Sequence, residues 1–475
     1  MGFNSAFRAP HSALNLSRRA VLRDTALGFG ALALTDLLHA SDAPGATKKP
    51  HFTPRAKRVI FLFMKGGPSH VDTFEPKPLL DRDDGKPYPG QRPRVVFAKT
   101  GNLLKSPWKF KQYGACGSPV SELFPHVAGC VDDICFVHSL HGTNPAHGGA
   151  LLKLHTGSDN FVRPSMGAWV AYGLGTENAN LPAFVTVCPT LAHGGVNNWG
   201  SAFLPASCQG VPLGNAGTPV ERAKVKYIEN AHLTSDAQRK QLDLLADLNR
   251  GHLGRAGPDA ALEGRIESFE LAFRMQKAMP EAEDISKETD KTRALYGLDD
   301  PVTAPFGRQC LLARRLAERG VRFVQVTHSD DKVQWDQHGD LRKGHSKNAR
   351  EVDRPIAGLL KDLKARGLLK DTLVLWGGEF GRTPTVEGGG NDGRDHNPEG
   401  FTVWMAGGGV KPGFRYGATD EYGWYAAENK VHVHDLHATV LALLGLDHEK
   451  LTFRHAGRDF RLTDVHGNVV KDLFA

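Results

Sequence analysis

Two stretches of this chain share one grammar. "PFGRQCLLARRLAERG" runs into "VRFVQVTHS", and "REVDRPIAGLLKDLKARG" runs into "DTLVLWGGEFG". Each pair begins with apolar residues at helical spacing, ends that helix on a glycine, and continues as a short segment that is apolar on both faces. A strand of that kind has to be covered on both sides, and a helix ahead of each strand returns the chain across the sheet so that successive strands run parallel. "KRVIFLFMKGG", with a strand from Arg58 to Met64, "DICFVHSLHG" and "LPAFVTVCP" add three more. The expected fold class is therefore α/β, a mostly parallel central sheet flanked by helices. Residues from about 220 to 296, including "DAQRKQLDLLADLNRG" and "DAALEGRIESFELAFRMQKAM", keep helical spacing with few strand signals and are expected to form a mostly helical insertion.

The first forty residues follow another rule. "SRRAVLR", Ser17 to Arg23, leads into the moderately apolar "TALGFGALAL" and the small-residue exit "LLHAS". Basic, then apolar, then small is the order of an export signal, and the paired arginines resemble a twin-arginine translocation leader. The alternative is an ordinary first helix with Asp24 and Asp36 on its solvated side. The leader reading divides the chain into a signal (1–40), a linker (41–56) and one large domain (57–475), and predicts a periplasmic or secreted protein whose partner in transit is the twin-arginine machinery. No apolar run in the body is long enough to span a bilayer, so no stable membrane anchor is expected. The net charge of +7 suits an anionic ligand, but the bases are scattered without a block or basic helix, so nucleic acid is not an expected partner. The six cysteines contain no C-x-x-C pair, which excludes zinc-ribbon and thioredoxin-type sites.

In an open parallel sheet, ligands gather beyond the carboxyl ends of the strands, so the polar residues that follow each strand are the ones to inspect. They are Asp72 in "GGPSHVDTF", Thr143, Asp336 and His338 in "WDQHGD", Glu379 in "WGGEF" and His396 in "GRDHNPEG". Singly, such residues more often cap a turn or sit at the surface. Placed after successive strands, their joint position points to one shared ligand site. "GGGNDG" fits G-x-G-x-x-G literally, yet no helix opens from it, and H-E-x-x-H, Walker and G-x-S-x-G motifs are absent.

The segments "GGPSHVDTFEPKP", "RPSMGAWVAYGLG", "GGEFGRTP", "GRDHNPEGF" and "HDLHATVLALLGL" resemble the bacterial domain of unknown function 1501 family, within the alkaline-phosphatase-like superfamily that also holds sulfatases and phosphodiesterases. The resemblance runs from about Lys57 to the C-terminus and implies an alkaline-phosphatase-like core. It also implies metal-dependent hydrolysis of phosphate or sulfate esters, with an anionic ester as substrate. Residue by residue, Asp72 matches the aspartate after the first strand, while Asp336, His338 and His396 match the ligands of the other ion, for which zinc or manganese is favoured. Thr143 in "TNPAH" falls where the nucleophile opens a helix at Pro145, with His147 in the place of an arginine that contacts it; the competing reading makes Thr143 a helix N-cap. A threonine cannot give the formylglycine aldehyde, so phosphate esters are favoured over that kind of sulfatase chemistry. Where the superfamily has adjacent Asp and His, this chain has Glu379 and Phe380, so any second site lacks an imidazole unless His70 or His147 supplies one, which suits Mg or Ca or no second ion. Arg382 and Lys65 are candidates to bind the anionic group. Asp435 is expected to N-cap the helix of "HDLHATVLALLGL". A noncatalytic exported binding or structural protein on a degenerate scaffold is the alternative to an enzyme.

Overall fold

The computed structural model describes residues 48–475 apart from 93–98, 227, 231, 258, 331–333 and 389–391. The expected leader lies outside the described residues. The central sheet is built from β1 (Arg58–Met64), β2 (Ile134–His141), β3 (Phe184–Val187), β4 (Val211–Leu213), β5 (Phe323–His328) and β6 (Thr372–Gly377), with three further strands after a hairpin. That hairpin is β7 (Gly381–Glu387) and β8 (Arg394–Asn397), and the further strands are β9 (Phe401–Ala406), β10 (Phe414–Tyr416) and β11 (Val431–His432). The spatial order is β10-β2-β9-β6-β1-β5-β3-β4, with β11 alongside β2. β1 pairs in parallel with β5 and β6, and β3 with β4 and β5. Only β9 runs against its neighbours, antiparallel to both β2 and β6. This is the mixed α/β architecture with a mostly parallel sheet.

Every residue of β1 is buried, and its side chains alternate between two cores. Ile60, Leu62 and Met64 pack with Leu311 and Leu316 of a helix at Ala304–Glu318 and with Val352, Ile356 and Leu359 of a helix at Leu341–Ala365. Val59, Phe61 and Phe63 face Leu151 and Leu154 of a helix at His147–Thr156, Trp169 of one at Met166–Leu174, and Leu436 and Val440 of one at Val433–Leu443. The period of two along β1 thus separates the two helical layers. His432, not Asp435, is the N-cap of the last helix; Asp435 stands at its third position and accepts the His432 backbone N–H at 2.9 Å, closing a capping box.

Between β4 and β5 the chain forms two long helices, Ser235–Ala256 and Ala260–Glu283. The second adds Met275, Met279 and Ala282 to the first core, whereas the first buries no residue and leaves Leu244 and Leu248 exposed. The six cysteines are free thiols, and no helix among the described residues is long and apolar enough to cross a membrane.

This contrast sets one expectation. Leu62→Ala, which empties fully buried space, should cost about 2–5 kcal/mol in denaturant unfolding, and Leu244→Ala, at an exposed position, less than about 0.5 kcal/mol.

Candidate metal centre

All parallel strands of the sheet end on one side, and two supports there hold the polar residues. The first is the turn after β1. Gly66 has φ of +108°, and a Cβ at that position would lie 2.6 Å from the Trp335 nitrogen and 2.7 Å from that of Asp336. Only glycine therefore lets the segment after β5 rest on the end of β1. Trp335, fully buried, donates its backbone N–H to the Lys65 carbonyl at 3.0 Å and its indole N–H to His328 Nδ1, at the end of β5, at 2.9 Å. Pinned at both ends, Trp335 presents Asp336 next to it.

The second support is the hairpin. Arg382 and His396 are paired across β7 and β8, and Arg394 lies two residues before His396 on the same strand. Opposed residues and those two apart project from the same face of a ribbon. Arg382 and His396 accordingly converge on one oxygen: Arg382 Nη2 and His396 Nε2 lie 2.6 and 3.0 Å from Asp336 Oδ1.

Around Asp336 stand three imidazoles. His338 Nε2 is 2.8 Å from Oδ1, His147 Nε2 is 3.1 Å from Oδ2, and the Nε2 atoms of His338 and His396 are 3.0 Å apart. One donor atom from each of His147, Asp336, His338 and His396 lies within 4.8 Å of the others. The outer nitrogens are engaged elsewhere. His396 Nδ1 meets the Pro145 carbonyl at 2.6 Å, His147 Nδ1 meets Glu379 Oε1 at 2.7 Å, and His338 Nδ1 meets Glu387. A carbonyl only accepts, so His396 carries its proton on Nδ1, and carboxylates favour the same tautomer at the other two rings. Three Nε2 lone pairs then face one another and a carboxylate. His147 Nε2 is buried, and its neighbour there is Asp336 Oδ2 at 3.1 Å, so a cation between the two would satisfy both. The donor set, three imidazoles and one carboxylate with each ring braced behind, fits a zinc or similar divalent ion.

The electrostatics follow. Burial favours the neutral form of Asp336, but the Arg382 charge and the three imidazoles hold its carboxyl well below the usual carboxylate range. Burial drives His396 down to about 4, so it is a neutral imidazole at neutral pH. His147 goes the other way, because its two neighbouring carboxylates outweigh burial. Lys65 is also fully buried here, its charge facing Glu379, Asp330 and Asp336.

Several expectations are corrected. Asp72 does not face the centre: its carboxylate is buried against Arg394, with Nε–Oδ2 at 2.7 Å and Nη2–Oδ1 at 3.1 Å, and it accepts the Ser69 hydroxyl at 2.5 Å. Glu379 does not join the converging group; it stands behind His147, and both its oxygens also accept the Gly66 N–H, at 3.0 and 3.1 Å. Arg382 is fully buried, donating to the carbonyls of Gly66, Gly67 and Arg394 as well as to Asp336, so it holds the carboxylate and is not placed to clamp a substrate. The helix expected at Pro145 begins at His147 with Ala146 as N-cap, and Asn144 Oδ1 accepts the Ala146 N–H at 2.9 Å. Thr143 is therefore neither the cap nor at the helix N-terminus; it is exposed on the loop whose Pro145 carbonyl touches His396. His70 Nε2 bonds the Gly423 carbonyl at 2.8 Å, away from the cluster, and Phe380 stacks on His396 at 4.4 Å. Arg394 and Glu387 carry no signal of their own in the sequence; the Gly/Asn/Asp-rich "EGGGNDG" between two polar stretches is the hairpin signal that joins them to Arg382.

Residues 56–474 match the family described as "Protein of unknown function (DUF1501)". No curated protein matches the chain. Among solved structures that resemble it are the lipoteichoic acid synthase LtaP from Listeria monocytogenes (9% identity, 88% of this chain and 78% of that one, TM-score 0.36) and the PsFucS1 sulfatase from Pseudoalteromonas sp. (12%, 83% and 69%, 0.35). A third is the alkaline phosphatase from the Antarctic bacterium TAB5 (9%, 83% and 99%, 0.32). Scores at this level say nothing about chemistry.

Asp72 and the ligands should separate experimentally. Asp72→Ala leaves the Arg394 charge buried and unpaired and should cost about 3–5 kcal/mol, while any folded fraction still binds metal. The native carboxyl of Asp72 is depressed, since the Arg394 charge and hydrogen bonds overcome burial. The stability it lends is therefore present above its ordinary value of 3.8 and is lost as pH falls below it. In urea titrations between pH 6 and pH 3, an Asp72→Leu, Arg394→Met double variant should lose less stability than the native chain.

Proposed function

Taking as premise that the chain belongs to the DUF1501 family, we propose that it is an exported, metal-dependent hydrolase of phosphate esters, with sulfate esters the second substrate class. The observation that carries this reading is the convergence of three braced Nε2 atoms on Asp336. Imidazole-rich sets with one carboxylate favour zinc or manganese. One ion per chain is proposed, because Asp72 and Glu379, the carboxylates expected to hold a second, are saturated by Arg394 and Ser69 and by Gly66 and His147.

A divalent ion in this set supplies Lewis-acid polarisation of an ester oxygen. The protein's own groups do the rest. Arg382 keeps Asp336 ionised, while Glu379, Glu387 and the Pro145 carbonyl fix the three rings so that the ligand geometry needs no reorganisation. His338, 35% exposed at its side chain, marks the solvent side from which an anionic ester enters. Thr143, on the loop beside His396, is the proposed source of the attacking hydroxyl. Its place outside the helix N-terminus deprives it of the helix dipole. That favours two rival outcomes, attack by water or a noncatalytic metal-binding protein.

Metal analysis of the purified protein should find about one zinc or manganese per chain. His147→Ala, Asp336→Ala and His396→Ala should each abolish it, and Glu379→Gln should weaken metal affinity roughly 10- to 100-fold. The loaded protein should hydrolyse p-nitrophenyl phosphate, bis-p-nitrophenyl phosphate or p-nitrophenyl sulfate. Loss of turnover in Thr143→Ala identifies the nucleophile, retained turnover assigns attack to water, and a loaded wild type inert on all three esters marks a binding protein. Export rests on Arg18 and Arg19: replacing both with lysine should leave the protein in the cytoplasm by cell fractionation.

A further inference from the structure

The loop after β3 carries a histidine that the metal set does not use. His193 is exposed, yet its ring lies against that of His147, with centroids 5.1 Å apart and planes within 16°. Phe380 holds the His147 ring as well, at 4.9 Å. No hydrogen bond engages the His193 ring among the described residues. Its backbone is left-handed, with φ of 53° and glycines following at 102° and 53°. For a residue with a Cβ that conformation is strained, and it persists only where neighbours impose it. Here they do. Thr190 Oγ1 accepts the Ala192 N–H at 3.2 Å, and the buried Asn198 donates its amide to the His193 carbonyl at 3.2 Å. A surface histidine with no task needs neither a strained backbone nor a fixed ring, and a packing histidine would be buried.

The position decides what the ring can reach. His147 Nε2 would be one of the atoms that hold an ion beside Asp336. A ring in a nearly parallel plane one stacking distance away therefore borders the ion's neighbourhood from the side, within reach of a group bound to it. The charged groups facing His193 are His147, Lys65, Glu379 and Asp336.

We propose that His193 is a substrate-contacting residue that donates a ring N–H to an oxygen of the phosphate group held at the metal centre. This deepens the hydrolase reading and rests on it. The probe is inorganic phosphate, titrated by calorimetry into zinc-loaded wild type, His193→Ala and His193→Gln, with metal content measured for each. Wild type should bind phosphate. His193→Ala should bind it about tenfold or more weakly, the value of one hydrogen bond to a charged group, and His193→Gln, whose amide N–H reaches similarly, should recover part of the loss. All three should hold equal zinc. Equal phosphate affinity in wild type and His193→Ala overturns the inference and leaves the hydrolase reading standing, as does a zinc-loaded wild type that ignores phosphate. Loss of zinc in His193→Ala makes the residue a ligand or a prop and also overturns it. A wild type that takes up no metal sinks the hydrolase reading, and this inference with it.

Discussion

The carboxylate of Asp336 is the fixed point of this molecule's chemistry. Surrounded by three imidazoles and a guanidinium, it touches His147, His338, His396 and Arg382 together. A partly buried anion is tolerable only when paired and hydrogen-bonded, and each of its partners arrives from a different element of the sheet's carboxyl rim. Much of the rim's construction serves to keep that carboxylate in place: the glycine turn after β1, the indole of Trp335 and the hairpin that Arg382 ties to the Gly66 and Gly67 carbonyls. Arg382 makes the dependence mutual, because its donors to the carbonyls of Gly66 and Gly67 tie the hairpin to the strand that Asp336 leans on.

Two buried arginines divide the labour behind the centre. Arg382 serves the ligand carboxylate, and Arg394, on the opposite strand of the same hairpin, neutralises Asp72. Asp72 therefore helps anchor the hairpin to the segment after β1 instead of joining the ligands. The two carboxylates that look alike in sequence differ in what their cation leaves free: Asp72 is enclosed with nothing to offer an ion, while Asp336 still presents both oxygens to imidazole nitrogens. Glu379 is a third case, spent on a backbone amide and on the ring it orients.

The strands apolar on both faces were legible because burial on two sides leaves a mark in every residue, and β1 spans the Arg58–Met64 expected of it. β9 was not separated from its surroundings: "EGFTVWMAGGG" follows a histidine segment directly, without the helix that announces the other strands, because an antiparallel strand needs no crossover. At the candidate centre, the places of Asp336, His338 and His396 after strands pointed to residues that the structure brings together, but not to which group stands behind which. Glu379, expected among the ligands, stands behind the His147 ring, and His147, expected beside the nucleophile, joins the candidate donors, because which nitrogen or oxygen points inward depends on contacts hundreds of positions apart. No local pattern records that Arg394 would neutralise Asp72, or that the loop at His193 would fold over His147.

The four converging donors come from the first helix after β2, the segment after β5 and the late hairpin, so their mutual distances are set only when the sheet between them has closed. A nascent or truncated chain ending before His396 would carry the other donors without the geometry that makes them selective. An ion held by these candidate donors would draw its free energy from the finished tertiary arrangement and lend it back to the whole sheet as added resistance to unfolding.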